Sequence, residues 1–395
     1  MVIGSGWEQE RLVRLAKERG HWVFATAWPP VYADALPLAD AGEHADPRDL
    51  DAIWRLAREH RIEAVVADQC DYSYFAAAYV ADRLGTPGST VAAAQVATNK
   101  QLQRARLAAA GVRQPQFRLC RDLEAARKCA AEFGYPAIIK PVDNRGNFGV
   151  NRVDVAEQVP EAFYEALSNA HSRMVLVEEF IEGTMATVEG FMFPGQIHTS
   201  LVCSSKVMLG GRKRVAMELR YPGQFTADVT RRLVEGNQAA MTALEYGVGP
   251  THAEYMVTTE GEPYFIEAAN RGGGVLINSH IVPTLTGVDT TALMIDHATG
   301  GELPPHGPTE LQGSIILSFF GVAGEGEVAG IEGLGEACRL PGVIALRMLV
   351  AIGSRLRAIV TDAHRHGFVI ARGDCLDEAL RVATRAKTLV RVITR

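Results

Sequence analysis

The order of predicted strands and helices changes near residue 113, and this change limits the folds that the chain can adopt. Before it, short apolar strands alternate with amphipathic helices: MVIGSG, WEQERLVRLAKERG, HWVFAT, DPRDLDAIWRLAREH and IEAVVAD. This β–α–β rhythm predicts a parallel sheet covered by helices. After residue 113 the strands follow one another directly, as in antiparallel hairpins. We therefore predict an α/β unit over residues 1–112, followed by an α+β unit.

Two glycines at the end of the first predicted strand, Gly4 and Gly6, invite comparison with the dinucleotide-binding fingerprint. The third glycine of that pattern would fall at Gln9, so the fingerprint is incomplete. A tight strand-to-helix turn explains the two glycines better than a nicotinamide cofactor does.

The stretch GYPAIIKPVDNRGNFGV (134–150) ends an apolar strand on Lys140. A lysine in such a position is costly to desolvate unless it meets an anion. The loop that follows contains Gly146 and Gly149, and glycines allow backbone N–H groups to approach a ligand closely. The stretch therefore predicts a phosphate site.

A second lysine occupies an unfavourable place at the start of a predicted helix, TNKQLQRARLAAAG. Thr98 and Gln101 fit the capping-box pattern. This puts Lys100 in the first turn, where the helix dipole disfavours a cation. Such departures from local preference are expected at functional sites. The alternative is a surface lysine that tolerates the dipole.

The segment THAEYMVTTEGEPYFIEAAN predicts a hairpin whose turn lies at residues 260–261. With that turn, Glu254 lies opposite Glu267, and Met256 lies opposite Phe265. Directly paired residues have Cβ atoms roughly 4.5–5.5 Å apart, and two like charges at that distance repel each other. The glutamate pair therefore needs an explanation.

The two glutamates indicate either a metal site or a pair that points into solvent. A cation between them, or protonation of one, relieves the repulsion. Glu267 lies in an apolar run, and two carboxylates together with phosphate oxygens suit Mg²⁺, which is seldom enclosed by protein ligands alone. We therefore favour a magnesium site, with Mn²⁺ as a substitute.

Three further segments carry groups that can bind anions or nucleotides. Arg271 in NRGGG can clamp a carboxylate or a phosphoryl group through two hydrogen bonds. The basic segment GGRKRVAMELR (210–220) predicts a loop that meets an anionic ligand, or simply a solvated charged loop. The strand VLVEEFIEG (175–183) turns polar at its end, where backbone groups can read an adenine edge.

Net charge, cysteine spacing and the length of apolar runs argue against several classes of protein. The net charge is −6 and no long basic run is present, which argues against a general nucleic-acid surface. The six cysteines show no metal-binding or disulfide spacing, so we expect reduced thiols in a cytoplasmic protein. No apolar run reaches the roughly 18 residues of a membrane span, and MVIGSGWEQE lacks the features of a signal peptide.

Several segments in a fixed order resemble the ATP-grasp superfamily: TNK, YPAIIKP, DNRGNFGV, VEEFIEG, HAEYMVTTEGEPYFIEAANR and GFVIARGDCLDEAL. IEAANR is similar to the carboxylate–amine ligase branch near the bacterial L-amino acid (dipeptide) ligases. The likeness to D-alanine–D-alanine ligases and biotin carboxylases is more distant. The resemblance implies a parallel-sheet preATP-grasp domain (1–112), an ATP-grasp domain with antiparallel sheets (113–300, lid at about 113–182) and a C-terminal α+β subdomain (301–395).

The resemblance also implies which residues hold ATP and metal, taken position by position. The residues that would contact ATP are Lys100, Lys140, Asn144, Gly146, Gly149, Glu178, Glu179 and Ile181. Glu254 and Glu267 would hold Mg²⁺.

The remaining implied residues act on the ribose and the substrates. Arg271 would stabilise the acyl-phosphate and the tetrahedral species that follows it. Relatives often carry a ribose-binding glutamate where this chain has Met185, and Glu189 is the candidate substitute. The candidate substrate-binding residues are Lys206, Arg212, Arg214 and Asn270, and Asn270 is also a candidate to replace an asparagine metal ligand.

The implied function is that of an ATP-dependent ligase that joins a carboxylate to an amine through an acyl-phosphate and releases ADP and phosphate. Two alternatives stay open at this point. One is a carboxylase or carbamoyl-phosphate type of enzyme that uses bicarbonate, and the other is a non-catalytic nucleotide-binding protein. The expected partners are small-molecule substrates, with neither nucleic acid nor membrane, and the family implies a homodimer.

Overall fold

A computed structural model describes residues 1–144, 146–195, 197–211, 213–303, 310–322 and 326–395. Its architecture is mixed α/β, with a parallel sheet near the N-terminus and antiparallel sheets after it. The predicted change of architecture near residue 113 is thereby confirmed. Within the described ranges, no helix is both long enough and apolar enough to cross a membrane.

The N-terminal unit is a small parallel sheet with helices on both faces. Its elements are β1 (Val2–Ile3), α1 (Glu10–Glu18), β2 (Phe24–Ala27), β3 (Ala41–His44), α2 (Leu50–Glu59), α3 (Asp71–Leu84), α4 (Val91–Ala97) and α5 (Lys100–Ala109). Strands β1, β2 and β3 pair in that order. Neighbouring strand residues point to opposite faces. Accordingly, Ile3 packs with α2 and α3, whereas Val2 packs with α1.

Two local predictions in this unit are wrong. IEAVVAD, predicted as the third strand, contributes only a bridge between Val66 and Val2. The third strand is β3, which is largely exposed and therefore shows no apolar pattern in the sequence. Helix α5 is capped by Asn99, whose side chain accepts hydrogen bonds from backbone N–H groups of the first turn. Thr98, the predicted cap, instead ends α4.

The second sheet is antiparallel and is covered on one face by two helices. Its elements are β4 (Phe117–Cys120), α6 (Leu123–Phe133), β5 (Ala137–Pro141), β6 (Asn151–Val153), α7 (Val159–Asn169) and β7 (Val175–Glu179). The strands lie in the order β4-β7-β5-β6. Ala137 and Ile139 pack against α6 and α7. Because side chains alternate along a strand, Ile138 and Lys140 point to the other face, where Glu178 pairs with Ile138.

The large sheet combines strands from distant parts of the chain. The remaining elements are β8 (Thr184–Phe193), β9 (Ile197–Leu209), β10 (Val215–Tyr221), α8 (Ala227–Leu244), β11 (Gly249–Val257), β12 (Pro263–Ala269), α9 (Val282–Thr286), α10 (Thr290–Ala298), β13 (Ser314–Phe320), β14 (Gly326–Glu332), α11 (Leu334–Cys338), β15 (Val343–Met348), β16 (Arg355–Leu356), β17 (Gly367–Gly373), α12 (Leu376–Leu389) and β18 (Arg391–Thr394). The order in the large sheet is β12-β11-β8-β9-β10-β13-β17-β15, and β16-β14-β18 form a separate small sheet.

The hairpin of β11 and β12 confirms the predicted glutamate pair. Glu254 lies directly opposite Glu267 in the register. The second predicted pair is wrong, because a bulge after Glu254 shifts the register by one residue and places Tyr255 opposite Phe265. A bulge inserts one unpaired residue and bends the strand, and the alternation of residue types does not reveal its position.

We propose domain boundaries near residues 113 and 301, with residues 113–182 as a lid. The first boundary and the end of the lid are supported by the change of sheet between α5 and β4 and between β7 and β8. The boundary at 301 does not separate sheets, because β13 lies directly beside β10.

Candidate active site

Two cavities meet beside the large sheet. One has a volume of about 700 Å³ and lies between the N-terminal unit, the loop after β5 and the large sheet. The other has a volume of about 140 Å³ and lies between the second sheet and the large sheet. The charged side chains that line both cavities define what we call the junction: Lys100, Lys206, Glu254, Glu267, Asp362 and Arg365.

Lys100, at the start of α5, is held by a carboxylate from the large sheet. Its Nζ lies 2.9 Å from Oε2 of Glu267 and donates a hydrogen bond of 2.8 Å to the backbone oxygen of Asn144. Burial lowers the pKa of Lys100, but the charge of Glu267 outweighs burial, so the pKa is raised. The lysine therefore stays cationic despite the helix dipole, and its partner is the predicted metal ligand.

Lys140 belongs to what we call the closed cluster, which consists of Arg104, Lys140 and Glu178. The carboxylate oxygens of Glu178 lie 2.8 Å from Nζ of Lys140 and 2.8 Å from Nε of Arg104. Burial raises the pKa of Glu178, but the two cations outweigh burial and hold the pKa at about 2. Burial lowers the pKa of Lys140, and Glu178 opposes this shift.

The closed cluster shows what Lys140 and Glu178 contact in this structure, and their predicted contacts with ATP stay predictions. The anion that meets Lys140 at the end of β5 is the Glu178 carboxylate. The side chain of Glu178 is taken up by two cations, so an adenine contact at this position falls to the backbone. Both side chains nevertheless line the smaller cavity.

Glu254 is the second carboxylate of the junction, and two cations hold it. It forms an ion pair with Lys206, and Nε2 of His252 lies 3.7 Å from Oε1. Burial raises the pKa of Glu254, but Lys206 and His252 outweigh burial and lower it. Burial lowers the pKa of His252, but Glu189 and Glu254 raise it to about 9, and Nδ1 lies 2.9 Å from Glu189.

The donor set at the junction fits a metal that arrives together with a phosphate-bearing ligand. Within the ranges that the structure describes, no group of three or more His, Cys, Asp and Glu side chains is placed to hold a metal ion. Glu254 and Glu267 supply two carboxylates that line both cavities. Mg²⁺ is commonly bound by one or two carboxylates with phosphate oxygens and water completing its shell.

Arg271 lines the larger cavity and is fixed by the N-terminal unit. Its guanidinium donates two hydrogen bonds, of 2.7 and 3.2 Å, to the carboxylate of Asp71 at the start of α3. In the loop that follows, the N–H of Gly272 donates to Asp68, and Val275 adopts a φ of +56°. A β-branched residue in the left-handed region is strained, and such strain is concentrated at functional sites.

The smaller cavity is lined by apolar side chains and by charged side chains of both signs. Its apolar lining includes Ile138, Ile181, Met185, Met256 and Ile266. Glu179, at the end of β7, lines it as well, and its backbone N–H donates to the backbone oxygen of Gln116. Arg214 lines the same cavity, with its Cζ 5.5 Å from the ring centroid of Phe180. The apolar side chains suit the faces of an aromatic base, and the charged side chains suit an anionic group attached to it.

The loop after β5 reaches the C-terminal part of the chain. Gly146 and Gly149 have φ values of +64° and +72°, which other residues rarely adopt. Asn147 donates a hydrogen bond of 3.2 Å from Nδ2 to the carboxylate of Asp362, and the side chain of Asn144 donates to Asn169. This loop therefore closes one side of the junction.

Two predicted side chains line neither cavity, and a third predicted residue is not among those that the structure describes. Glu189 lines neither cavity and pairs with His252, so a ribose contact by Glu189 is not supported. Asn270 is buried and lines neither cavity, because its side chain bonds Tyr74 and the backbone oxygen of Pro250. Arg212 lies outside the described residues.

Five charged residues of the site were not predicted from the sequence: Asp71, Arg104, His252, Asp362 and Arg365. A signal existed for two of them, since Arg104 lies four residues after Lys100 on one helix face and His252 lies two residues before Glu254 on one strand face. No local signal marks Asp71, because its partner Arg271 lies 200 positions away.

Residues 99–306, more than half of the chain, match the family described as Carbamoyl-phosphate synthase L chain, ATP binding domain. The chain belongs to the ATP-grasp carboxylate–amine ligases. Residues 318–395 match a second family, described as L-amino acid ligase C-terminal domain 2. The ATP-grasp ligases form carbon–nitrogen bonds, and the predicted family is thereby confirmed.

Individual relatives of this ATP-grasp chain agree with the assignment. The D-alanine–D-alanine ligase of Gloeobacter violaceus is 28% identical over 203 residues, which cover 47% of this chain and 63% of that relative. The crystal structure of an L-amino acid ligase from Bacillus licheniformis has a TM-score of 0.84 and 20% identity, covering 100% of this chain and 98% of the other.

A second solved structure is the biotin carboxylase domain dimer of the Hydrogenobacter thermophilus 2-oxoglutarate carboxylase, in complex with MgADP, ADP and bicarbonate. It has a TM-score of 0.77 and 16% identity, covering 100% of this chain and 90% of the other. At these identities the two solved structures show that this chain has the ATP-grasp fold.

Proposed function

We propose that the protein is an ATP-dependent ligase that joins a carboxylate to an amine through an acyl-phosphate and releases ADP and phosphate. The observation that carries the proposal is the junction. Two lysines and two glutamates line the place where a small cavity with apolar side chains in its wall meets a larger one. The small cavity suits the base of ATP, the large one suits the two substrates, and the junction suits the triphosphate.

The nucleotide would enter with its base in the smaller cavity. Ile181 and Met185 offer apolar walls there, and the backbone at the end of β7 offers hydrogen-bonding groups along the edge of the base. Lys100 and Lys206 would then bind phosphate oxygens at the junction, in place of the carboxylates that they contact in this structure. Lys140 stays with Glu178 and adds positive potential to the wall of the cavity.

Glu254 and Glu267 would hold Mg²⁺. The ion, when bound, neutralises charge on the triphosphate. With the two carboxylates committed to the ion, Lys100 and Lys206 lose their present partners and turn toward the phosphates. The same four side chains would thus serve either as ion pairs with one another or as ligands of the metal and the phosphates.

The chemistry would take place in the larger cavity. An oxygen of the substrate carboxylate attacks the γ-phosphorus, the bond to ADP breaks, and an acyl-phosphate forms. The amine nitrogen then attacks the acyl carbon, loses a proton, and phosphate leaves. Arg271 is oriented by Asp71 before the substrates bind, so its guanidinium can stabilise charge on the acyl oxygen without further ordering.

Bicarbonate as the acyl group is the second candidate. It is favoured by the match to the carbamoyl-phosphate synthase domain and by the bicarbonate in the Hydrogenobacter structure. Against it, a cavity of about 700 Å³ is far larger than bicarbonate requires, and that volume suits a drug-sized organic ligand. A non-catalytic role is disfavoured, because a decayed site would not keep so many costly buried charges. A homodimer is also proposed, on the precedent of the dimeric Hydrogenobacter domain.

The proposal is tested by ADP release from ATP–Mg²⁺ in the presence of pooled amino acids and small carboxylates, with and without added amines. We expect release that requires a carboxylate and is accelerated by an amine. Release that requires only bicarbonate would establish the second candidate. ATP binding without release under any pool would favour the non-catalytic protein.

Glu267→Gln is expected to abolish ADP formation while the protein stays folded, because it removes one of two carboxylates that would hold the metal. The matched control is Glu262→Gln in the same hairpin, where the carboxylate pairs with Arg113 and Arg232 away from both cavities. Full turnover by Glu267→Gln, measured as ADP release, would overturn the metal assignment.

A further inference from the structure

A short segment between β16 and β17, residues 360–365, covers both cavities. Val360 lines the smaller cavity, Ala363 lines the larger one, and Asp362 and Arg365 line both. No sequence pattern indicated a residue of this segment. It comes from the C-terminal part of the chain, whereas the predicted site residues all lie between Lys100 and Arg271.

The segment contains a concentration of unsatisfied polar atoms. Among the described residues, Oγ1 of Thr361, Nδ1 of His364 and Nε of Arg365 are buried and have no hydrogen-bond partner. Buried polar groups almost always have partners, and each exception needs a reason such as a ligand or an ion. Of these three residues only Arg365 lines the two cavities, so its Nε is the atom that a ligand at the junction would satisfy.

Arg365 carries the charge of this segment. Its side chain is only 9% exposed, and its Cζ lies 3.8 Å from the ring centroid of Phe319, which fixes the guanidinium against β13. Within the described part of the chain, its guanidinium bonds only Asp362, at 2.5 Å. Burial lowers the pKa of Arg365 although Asp362 and Glu254 act in the opposite direction. The guanidinium is thus buried with unused donors and would gain from an anion.

We propose that Arg365 binds the phosphoryl group that is transferred from ATP. This inference rests on the proposed function, because it requires a triphosphate at the junction. The transferred phosphoryl is the one group that belongs first to the nucleotide, in the smaller cavity, and then to the acyl-phosphate, in the larger cavity. Arg365 is a cation that lines both, and its planar fork matches phosphate oxygens.

Asp362 connects this arginine to the glycine-containing loop after β5. Its backbone N–H donates to the backbone oxygen of Gly146, at 3.4 Å, and its carboxylate accepts the hydrogen bond from Asn147. The partner of Arg365 is therefore also the residue that holds the loop over the junction. A phosphoryl group bound by Arg365 would lie beneath that loop.

The test compares two nucleotides that differ in the terminal phosphoryl. Binding of ADP and of the non-hydrolysable analogue β,γ-imido-ATP, each with Mg²⁺, is measured by calorimetry for the wild type, Arg365→Met and Arg365→Lys. We expect Arg365→Met to weaken binding of the triphosphate analogue by about 10- to 100-fold, as for the loss of a charged hydrogen bond. We expect ADP affinity to change less than about twofold. Arg365→Lys keeps the charge without the fork and should fall between the wild type and Arg365→Met.

The matched control is Lys387→Met. Lys387 is a half-buried cation that bonds Ser318 and the backbone of Phe319 and lines neither cavity. The Lys387→Met substitution should leave the affinities for ADP and for β,γ-imido-ATP unchanged. Equal losses for the two nucleotides, or no loss for either, would overturn the inference, as would a higher KM for the carboxylate with both affinities intact. If Arg365→Met does not fold, the inference is decided by Arg365→Lys, from the ratio of its affinities for β,γ-imido-ATP and ADP. Failure of the wild type to bind either nucleotide would overturn the proposed function itself.

Discussion

Two lysine–glutamate ion pairs of nearly equal length have different surroundings in this molecule. In the closed cluster, Lys140 lies 2.8 Å from Glu178, and these side chains are 5% and 3% exposed. At the junction, Lys100 lies 2.9 Å from Glu267, and the side chains are 15% and 35% exposed. The first glutamate also has a second cation, Arg104, and lines only the smaller cavity, whereas the second lines both cavities. Distance alone therefore does not separate a pair that supports the fold from a pair that can exchange its partner for a ligand.

The largest expected effect comes from breaking the closed cluster. Glu178→Gln keeps the volume but leaves Arg104 and Lys140 buried without an anion. Removing one partner of a buried ion pair costs about 3–5 kcal/mol, so we expect the free energy of unfolding to fall by that amount in urea titrations followed by circular dichroism. The control is Glu235→Gln, in an exposed pair with Arg231, which should cost less than about 0.5 kcal/mol. A Glu178→Gln variant as stable as the control would contradict the comparison.

The next largest effect is the loss of stability that we expect at low pH, when Glu178 becomes protonated. The pKa of Glu178 is depressed from 4.5 to about 2 in the folded protein. A depressed carboxyl pKa contributes stability that is present above the unfolded-state value and is lost as pH falls through the folded-state value. We therefore expect roughly 3 kcal/mol of unfolding free energy to disappear between about pH 4.5 and pH 2. The wild type and Glu178→Gln should converge in stability over this window; parallel curves would show that the cluster does not titrate as described.

The smallest effect on stability is expected at the ion pair between Lys100 and Glu267. Lys100→Met leaves the fold nearly intact, because Glu267 can turn toward the cavities and water, and we expect a stability change below about 1 kcal/mol. Binding of ADP–Mg²⁺, measured by calorimetry, should weaken about tenfold, or about 1.4 kcal/mol. Lys17→Met, which removes a surface partner of Asp40, is the control for both measurements. A large loss of stability in Lys100→Met would place this pair with the closed cluster.

Local patterns predicted most of the fold. The alternation of strands and helices before residue 113 and the hairpin pairs after it both appear in the structure, because each depends on short-range periodicity. β3 escaped prediction because it is largely exposed and carries no apolar alternation. The cap of α5 was misplaced by one residue, since Thr98 and Asn99 are both good caps and only the backbone decides between them.

For the candidate site too, contacts set by local patterns were predicted and contacts set by tertiary packing were not. The pairing of Glu254 with Glu267 was predicted, because it follows from the register of a hairpin whose two strands are close in sequence. The anion beside Lys140 and the clamp on Arg271 were not predicted, because Glu178 and Asp71 come from other elements and their contacts depend on tertiary packing. Sequence patterns thus identified groups that carry charge, and the structure identified which other groups neutralise them.

The position of β13 between β10 and β17 has a consequence for synthesis of the chain. β10 ends at Tyr221 and β13 begins at Ser314. At about 5–20 residues per second, the ribosome needs roughly 5–20 s to make the intervening segment. During that interval β10 presents an unpaired strand edge, which can recruit strands of other chains. This exposure thus falls in the second half of translation, while the hairpin that carries Glu254 and Glu267 is being made and before Arg365 has been added.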